Sequence, residues 1–257
     1  MKAAVFIPAR YASSRFPGKP LQPLTGRDGT KSLIQRTWDC AVAAVPAEQV
    51  WVATDDDRIA EAVTGFGGQV VMTSDECRNG TERCADALDR LGIAPEIVVN
   101  VQGDSPLTPP WFVTGLIEGL AGAPDMGVAT PVLFADEQAH RRLREDRAAG
   151  RVGGTTAVFG SARQALYFSK EVLPFVPDGA RQPPVFHHVG LYAYRPEALA
   201  RYRSWGPGVL EELEGLEQLR FLENGERVLC VEVEARGRVF WELNNPVDVT
   251  RIEEVLR

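Results

Sequence analysis

Three short stretches of this 257-residue chain gather groups that handle phosphate and a divalent cation. The first is Pro8-Ala9-Arg10-Tyr11-Ala12-Ser13-Ser14-Arg15-Phe16-Pro17-Gly18-Lys19-Pro20-Leu21. Arg10, Arg15 and Lys19 bring positive charge, Ser13 and Ser14 bring hydroxyls, and Gly18 leaves backbone open, a set suited to a triphosphate. The glycine spacing fits neither a Walker A loop nor G-x-G-x-x-G, and a solvated basic turn is the competing reading. The second stretch, Val99-Asn100-Val101-Gln102-Gly103-Asp104-Ser105-Pro106-Leu107, ends an apolar run on a Gly-Asp turn. Mg2+ takes one or two carboxylates together with phosphate oxygens, so Asp104 is a candidate ligand. The third, Trp241-Glu242-Leu243-Asn244-Asn245-Pro246-Val247-Asp248, sets polar side chains ahead of a helix, where Asn244 serves equally as a plain cap.

Such residues act together only if regular elements bring them to one edge. Apolar runs predict strands at 3–7, 50–53, 69–73, 97–101, 128–133, 189–194, 228–233 and 239–243. The early ones are unbroken Val/Ile/Ala runs, as parallel strands buried on both faces require. Leu33, Ile34, Trp38, Ala41, Val42 and Val45 recur at helical spacing, and further helices are expected over 57–64, 81–91, 111–120 and 244–257. Strand–helix alternation through about residue 120 points to an α/β fold with an open, mostly parallel sheet, whose strand ends are the usual ligand crevice. From 151 to 198 the chain is rich in Gly and Pro and reads as antiparallel pieces, a smaller mixed sub-domain on the acceptor side of a cleft. The charged stretch 140–151 reads as a solvated helix face or a loose lid. The whole of 1–257 is expected to be one domain. Residues 1–125 would bind nucleotide, about 126–240 would serve the acceptor and dimerisation, and 241–257 would return as a helix to the site.

Composition narrows the classes. With 44% hydrophobic and 25% charged residues the chain is an ordinary globular protein, long enough to hold itself without disulfides or a structural metal. A net charge of −7 argues against a nucleic-acid platform, since that role needs a basic excess. No apolar run reaches membrane-spanning length, and Met1–Pro8 reads as a buried strand, not a secretory leader. The four cysteines, Cys40, Cys77, Cys84 and Cys230, lack C-x-x-C spacing and are expected to be reduced thiols in a cytoplasmic protein.

Further motifs follow in order: Val-Ala-Thr-Asp (52–55), Asn-Gly-Thr-Glu-Arg (79–83), Asn-Val-Gln-Gly-Asp, His-x-Gly-x-Tyr-x-Tyr-Arg (188–195) and Leu-Glu-Gln-Leu-Arg (216–220). With the first loop, they resemble the CMP-Kdo synthetases (3-deoxy-manno-octulosonate cytidylyltransferases) over almost the entire chain. The resemblance implies a Rossmann-like nucleotidyltransferase fold, CTP as donor, Mg2+ as cofactor, an acidic small-molecule acceptor and a homodimer. It implies that Arg10, Ser13, Arg15 and Lys19 surround the triphosphate, with Lys19, Arg15 and Asp104 the catalytic set. Thr73 and Ser74 would border the cytosine, and Arg83 the junction of nucleotide and acceptor. Asp104 and Asn244 would hold the metal, and Gln102, His188, Tyr192 and Glu217 would face the acceptor. The bland alternatives are that His188 and Tyr192 are satisfied core residues and Glu217 an exposed helix charge.

Four departures from the family pattern fall on the acceptor side. Ser105 stands for a Glu, Asn244 for an Asp, Arg151-Val152-Gly153-Gly154-Thr155-Thr156 for a Lys-containing strand, and Ser169-Lys170 with Pro174-Phe175-Val176-Pro177 for an Arg-rich pattern. Fewer acidic groups near the metal would suit a more anionic or compact acceptor, so Kdo is expected to turn over more slowly than some other acid. Open alternatives are an 8-amino or other ulosonic acid, a small phosphonate, or an inactive nucleotide-binding relative.

Overall fold

The computed structural model describes residues 2–12, 16–152, 154–177, 184–239 and 241–257. Its first half follows the apolar runs closely. Strand β1 (Ala3–Ala9) is buried along its whole length and pairs in parallel with β4 (Val50–Thr54) and β6 (Ile97–Val101). Between them the chain forms a hairpin, β2 (Pro23–Gly26) and β3 (Gly29–Ser32), then helix α1 (Leu33–Val42). Helix α2 (Asp57–Gly65) leads to β5 (Gln69–Met72), which pairs in parallel with β4, and α3 (Gly80–Leu91) leads to β6.

The second half changes direction. After α4 (Pro110–Ala121), β7 (Val128–Phe134) and the charged helix α5 (Glu137–Ala148), the chain runs through antiparallel pieces. These are β8 (Thr155–Phe159), β9 (Ala165–Ser169), β10 (Phe186–His188) and β11 (Leu191–Tyr194). Strand β11 pairs antiparallel with both β6 and β7, so it joins the parallel half to the antiparallel one. Helices α6 (Pro196–Ser204), α7 (Val209–Glu214) and α8 (Leu219–Glu223) precede β12 (Val228–Glu232), parallel to β7, and α9 (Asp248–Leu256) ends the chain.

The sheet order β5-β4-β1-β6-β11-β7-β10-β8-β9, with β12 beside β7, separates two cores. Alternation along β1 sends Val5 and Ile7 to one face, against Ile34 and Trp38 of α1, Ile59 of α2 and Phe112 and Leu116 of α4. Ala4 and Phe6 meet the other face, against Cys84 of α3, Leu199 and Tyr202 of α6 and Phe221 of α8. A third, small core of Leu24, Leu33, Leu243 and Ile252 fastens α9 to the hairpin. Helix α5 buries none of its residues, in keeping with a solvated face. No described helix is long and apolar enough to cross a membrane.

Two expectations are corrected. The described residues of 239–243 form no strand. The last helix opens at Asp248 instead of Asn244, because the Asp248 carboxylate accepts the backbone N–H groups of Asn244 and Asn245 (3.1 and 2.7 Å). That pair of bonds winds 244–248 into a turn, and Asn244 caps no helix. The β2–β3 hairpin lies outside the expected strands: Leu24 is its one buried side chain, too little to register as a strand pattern.

Candidate functional site

The loops leaving β1 and β6 meet at the carboxyl edge of the sheet. Gly103 passes so near β1 that a Cβ there would lie 2.6 Å from the Pro8 carbonyl oxygen, a contact only glycine permits. Asp104 is thereby set beside the first loop, and the Lys19 ammonium donates to its Oδ2 at 2.8 Å. The loop itself is pinned by Tyr11. Gly18, at φ +72°, donates its N–H to the Tyr11 carbonyl and packs under the Tyr11 ring, on which the Arg58 guanidinium stacks at 3.3 Å from the centroid. The third segment arrives through Leu243, fully buried in the small core, whose N–H donates to the Asp104 carbonyl at 2.9 Å. Glu242 and Asn244 flank that anchor, and the Asn244 Nδ2 donates to Glu242 Oε2 at 3.3 Å. Arg10 is exposed nearby, while Ser13 and Arg15 lie outside the described residues.

Thr73, Ser74 and Arg83 come together one strand away. The buried Arg83 guanidinium donates to Thr73 Oγ1 (2.5 Å) and to the Ser74 carbonyl (3.4 Å), and pairs with Asp55 at 3.1 Å. The Ser74 N–H donates to Asp86 at 2.8 Å. Asp55 belongs to the Val-Ala-Thr-Asp motif; Asp86 and Arg58 carried no motif signal, since their roles depend on neighbours distant in sequence.

The remaining candidates line the other side of β6. Gln102 Nε2 donates to Glu217 Oε1 (3.1 Å), and the Thr81 N–H, an unpaired first-turn amide of α3, donates to Glu217 Oε2 (3.0 Å). Glu217 therefore caps a helix of the core instead of standing as an exposed charge. Burial raises its pKa, a tendency the Thr81 bonds oppose. Tyr192 is buried and donates to Gln218 Oε1 at 3.0 Å; burial pushes its phenol well above the usual range, so it stays a donor. His188 is buried between Phe168 and Tyr192, and its Nε2 lies 2.8 Å from Thr130 Oγ1. The Thr130 hydroxyl already donates to the Leu191 carbonyl (2.9 Å), so the imidazole proton sits on Nε2 and Nδ1 is the acceptor. Burial, aided by the adjacent His187, lowers the His188 pKa to about 3. Beneath these groups Arg220 donates to Glu211 (2.6 Å) and Glu82 (2.9 Å), all three buried; Arg220 and Glu82 lie in the 216–220 and 79–83 motifs, whereas Glu211 belongs to no motif.

Among the described residues no three His, Cys, Asp or Glu side chains converge on one point. The donor chemistry nevertheless suits a hard cation: Asp104 already accepts a positive group, and Asn244, whose amide carries an oxygen donor, follows directly on the Leu243 contact. Such a site takes its remaining ligands from phosphate and water, as Mg2+ sites commonly do.

A sheet whose β5-β4-β1-β6 part is parallel, with a basic loop after its first strand and an aspartate after β6, is an arrangement a nucleotidyltransferase would use, and comparison with known proteins gives that class. Residues 4–228 match the family model described as cytidylyltransferase. The 3-deoxy-manno-octulosonate cytidylyltransferase of Maricaulis maris is 44% identical over 256 residues, covering 100% of this chain and 97% of the relative. The enzyme of that name from Desulfosudis oleivorans is 40% identical, covering 100% and 98%. The solved structure of a CMP:2-keto-3-deoxy-manno-octonic acid synthetase complexed with CTP superimposes with a TM-score of 0.85 at 32% identity, covering 100% of this chain and 98% of that one. The chain belongs to the 3-deoxy-manno-octulosonate cytidylyltransferase (CMP-Kdo synthetase) family.

Proposed function

We propose that the protein transfers CMP from CTP to Kdo, with Mg2+ as cofactor, releasing pyrophosphate and giving CMP-Kdo. The observation that carries this is the meeting of Lys19, Asp104 and Leu243, which draws the segments after β1 and β6 and the segment ahead of α9 together. The anomeric hydroxyl of Kdo attacks the α-phosphorus; the new O–P bond forms as the bond to pyrophosphate breaks, and the hydroxyl proton is lost to solvent. Lys19, with Arg10 and Arg15 of the same loop, offsets charge growing on the leaving pyrophosphate. Thr73, Ser74 and Arg83 border the base and the nucleotide–acceptor junction. Gln102, Glu217, His188 and Tyr192 shape the acceptor wall, with Tyr192 and neutral His188 supporting it from beneath. Asp104 and the Asn244 amide oxygen would hold Mg2+, which supplies Lewis-acid polarisation of the phosphate when bound.

The enzyme is further proposed to work in the cytoplasm as a homodimer, in keeping with four free thiols and with Phe134 and Leu166 exposed on the antiparallel half. A pyrophosphate-release assay with all four nucleotides and a panel of acids tests the reading. CTP with Kdo should give the fastest release. A faster 8-amino-ulosonic acid or phosphonate would move the acceptor assignment in the direction of the Ser105 and Asn244 departures. No release with any acid would sink the activity.

A further inference from the structure

The Asn244 position raises a question of charge. A second carboxylate at that point would double the negative charge facing the cation; an amide supplies an oxygen but no charge. The structure places a carboxylate two residues away. Glu242 Oε2 accepts a hydrogen bond from the Asn244 Nδ2 at 3.3 Å. An ionised carboxylate only accepts, so the amide must turn its nitrogen to Glu242, leaving its carbonyl oxygen Oδ1 directed elsewhere. Glu242 also reaches the turn between β10 and β11: its Oε1 would lie 3.2 Å from a Cβ built on Gly190, and the same point is 4.0 Å from Gln102 Cγ. The carboxylate thus lies between the turn that leads into β11 and the segment fastened to Asp104 by Leu243.

We propose that Glu242 is a positioning residue that orients Asn244 as an oxygen ligand and restores the negative charge this position lacks. The proposal rests on the metal reading given above. Groups that orient a metal ligand typically contribute 10–100-fold to metal affinity.

The test is Mn2+ binding to the full-length protein saturated with CTP and without acceptor, followed by the loss of the free Mn2+ electron paramagnetic resonance signal. Glu242→Gln should weaken Mn2+ binding by about 10–100-fold while leaving the melting temperature close to that of the parent. Adding Asn244→Asp to Glu242→Gln should return affinity to within a few-fold of the parent, because the charge is then carried at 244. Unchanged Mn2+ affinity in Glu242→Gln, or no recovery in the double variant, overturns the proposal. Asp104→Asn separates the two readings. If it abolishes Mn2+ binding while Glu242→Gln does not weaken it, only the role of Glu242 falls. If the parent binds no Mn2+, or Asp104→Asn leaves binding unchanged, the metal reading falls and takes this one with it.

Discussion

The proposed nucleotide edge and the proposed acceptor wall of this site are built on opposite plans. At the edge, Lys19 opens a short 3-10 turn and Asp104 and Arg10 lie on loops, all partly or fully exposed, and the backbone does the positioning, through the Gly103–Pro8 approach and the Leu243–Asp104 hydrogen bond. In the wall, Tyr192, His188, Gln218 and Arg220 are buried and bond other buried groups: Tyr192 to Gln218, His188 to Thr130, and Arg220 to Glu211 and Glu82. A chain can lose an exposed charge without losing its fold, whereas a buried polar group stranded by mutation imposes its desolvation cost on the whole domain. Damage to the edge should therefore appear in the rate, and damage to the wall in stability.

The largest effect expected is on the wall side. Arg220→Met leaves Glu82 and Glu211 buried without their shared cation, which should cost about 3–5 kcal/mol in urea denaturation. A loss under 1 kcal/mol would break the contrast. On the edge, Asp104→Ala should lower kcat/KM by about a hundredfold, roughly 3 kcal/mol of transition-state stabilisation, with the melting temperature nearly unmoved. A collapse of the melting temperature would show the edge to be structural after all. Gly103→Ala sharpens the comparison, because there the edge depends on backbone: the new methyl presses on the Pro8 carbonyl at 2.6 Å and should cost about 1–3 kcal/mol.

The smallest effect is a pH slope. His188 takes a proton in the folded state only below about 3, against an ordinary value of 6.5 when unfolded. Between those values the unfolded chain binds more protons, so this contribution is complete above about pH 6.5 and drains as pH falls toward 3. The slope is at most about 1.4 kcal/mol per pH unit. Denaturation midpoints at pH 7 and pH 5 should differ less in His188→Gln than in the parent. Equal pH dependence in the two would remove His188 from the buried, neutral set.

The same contrast governs what the sequence made legible. Strands β1, β4 and β6 are continuous apolar runs whose pattern is local, and the polar loops that follow them announce themselves by composition. The wall is assembled from afar. Gln102 and Glu217 are 115 residues apart, and nothing in Leu216–Arg220 states that one carboxylate will cap α3 while the next amide receives a phenol. Residues 239–243 have the apolar look of a strand, yet what Leu243 meets is the small core beneath α9, and the start of α9 is set by Asp248 reaching back to two amides. Glu242 was legible only as a polar residue; its place opposite Gly190 is a matter of tertiary packing.

The Leu243–Asp104 clasp also bears on the order of assembly. It joins parts of the chain far apart in sequence, and contacts of long separation are entropically the last to close. During refolding, the sheet with its basic loop should mature ahead of that clasp. On the proposed roles, a transient species would then hold triphosphate before Asn244 is in place, so recovery of nucleotide binding should run ahead of recovery of turnover.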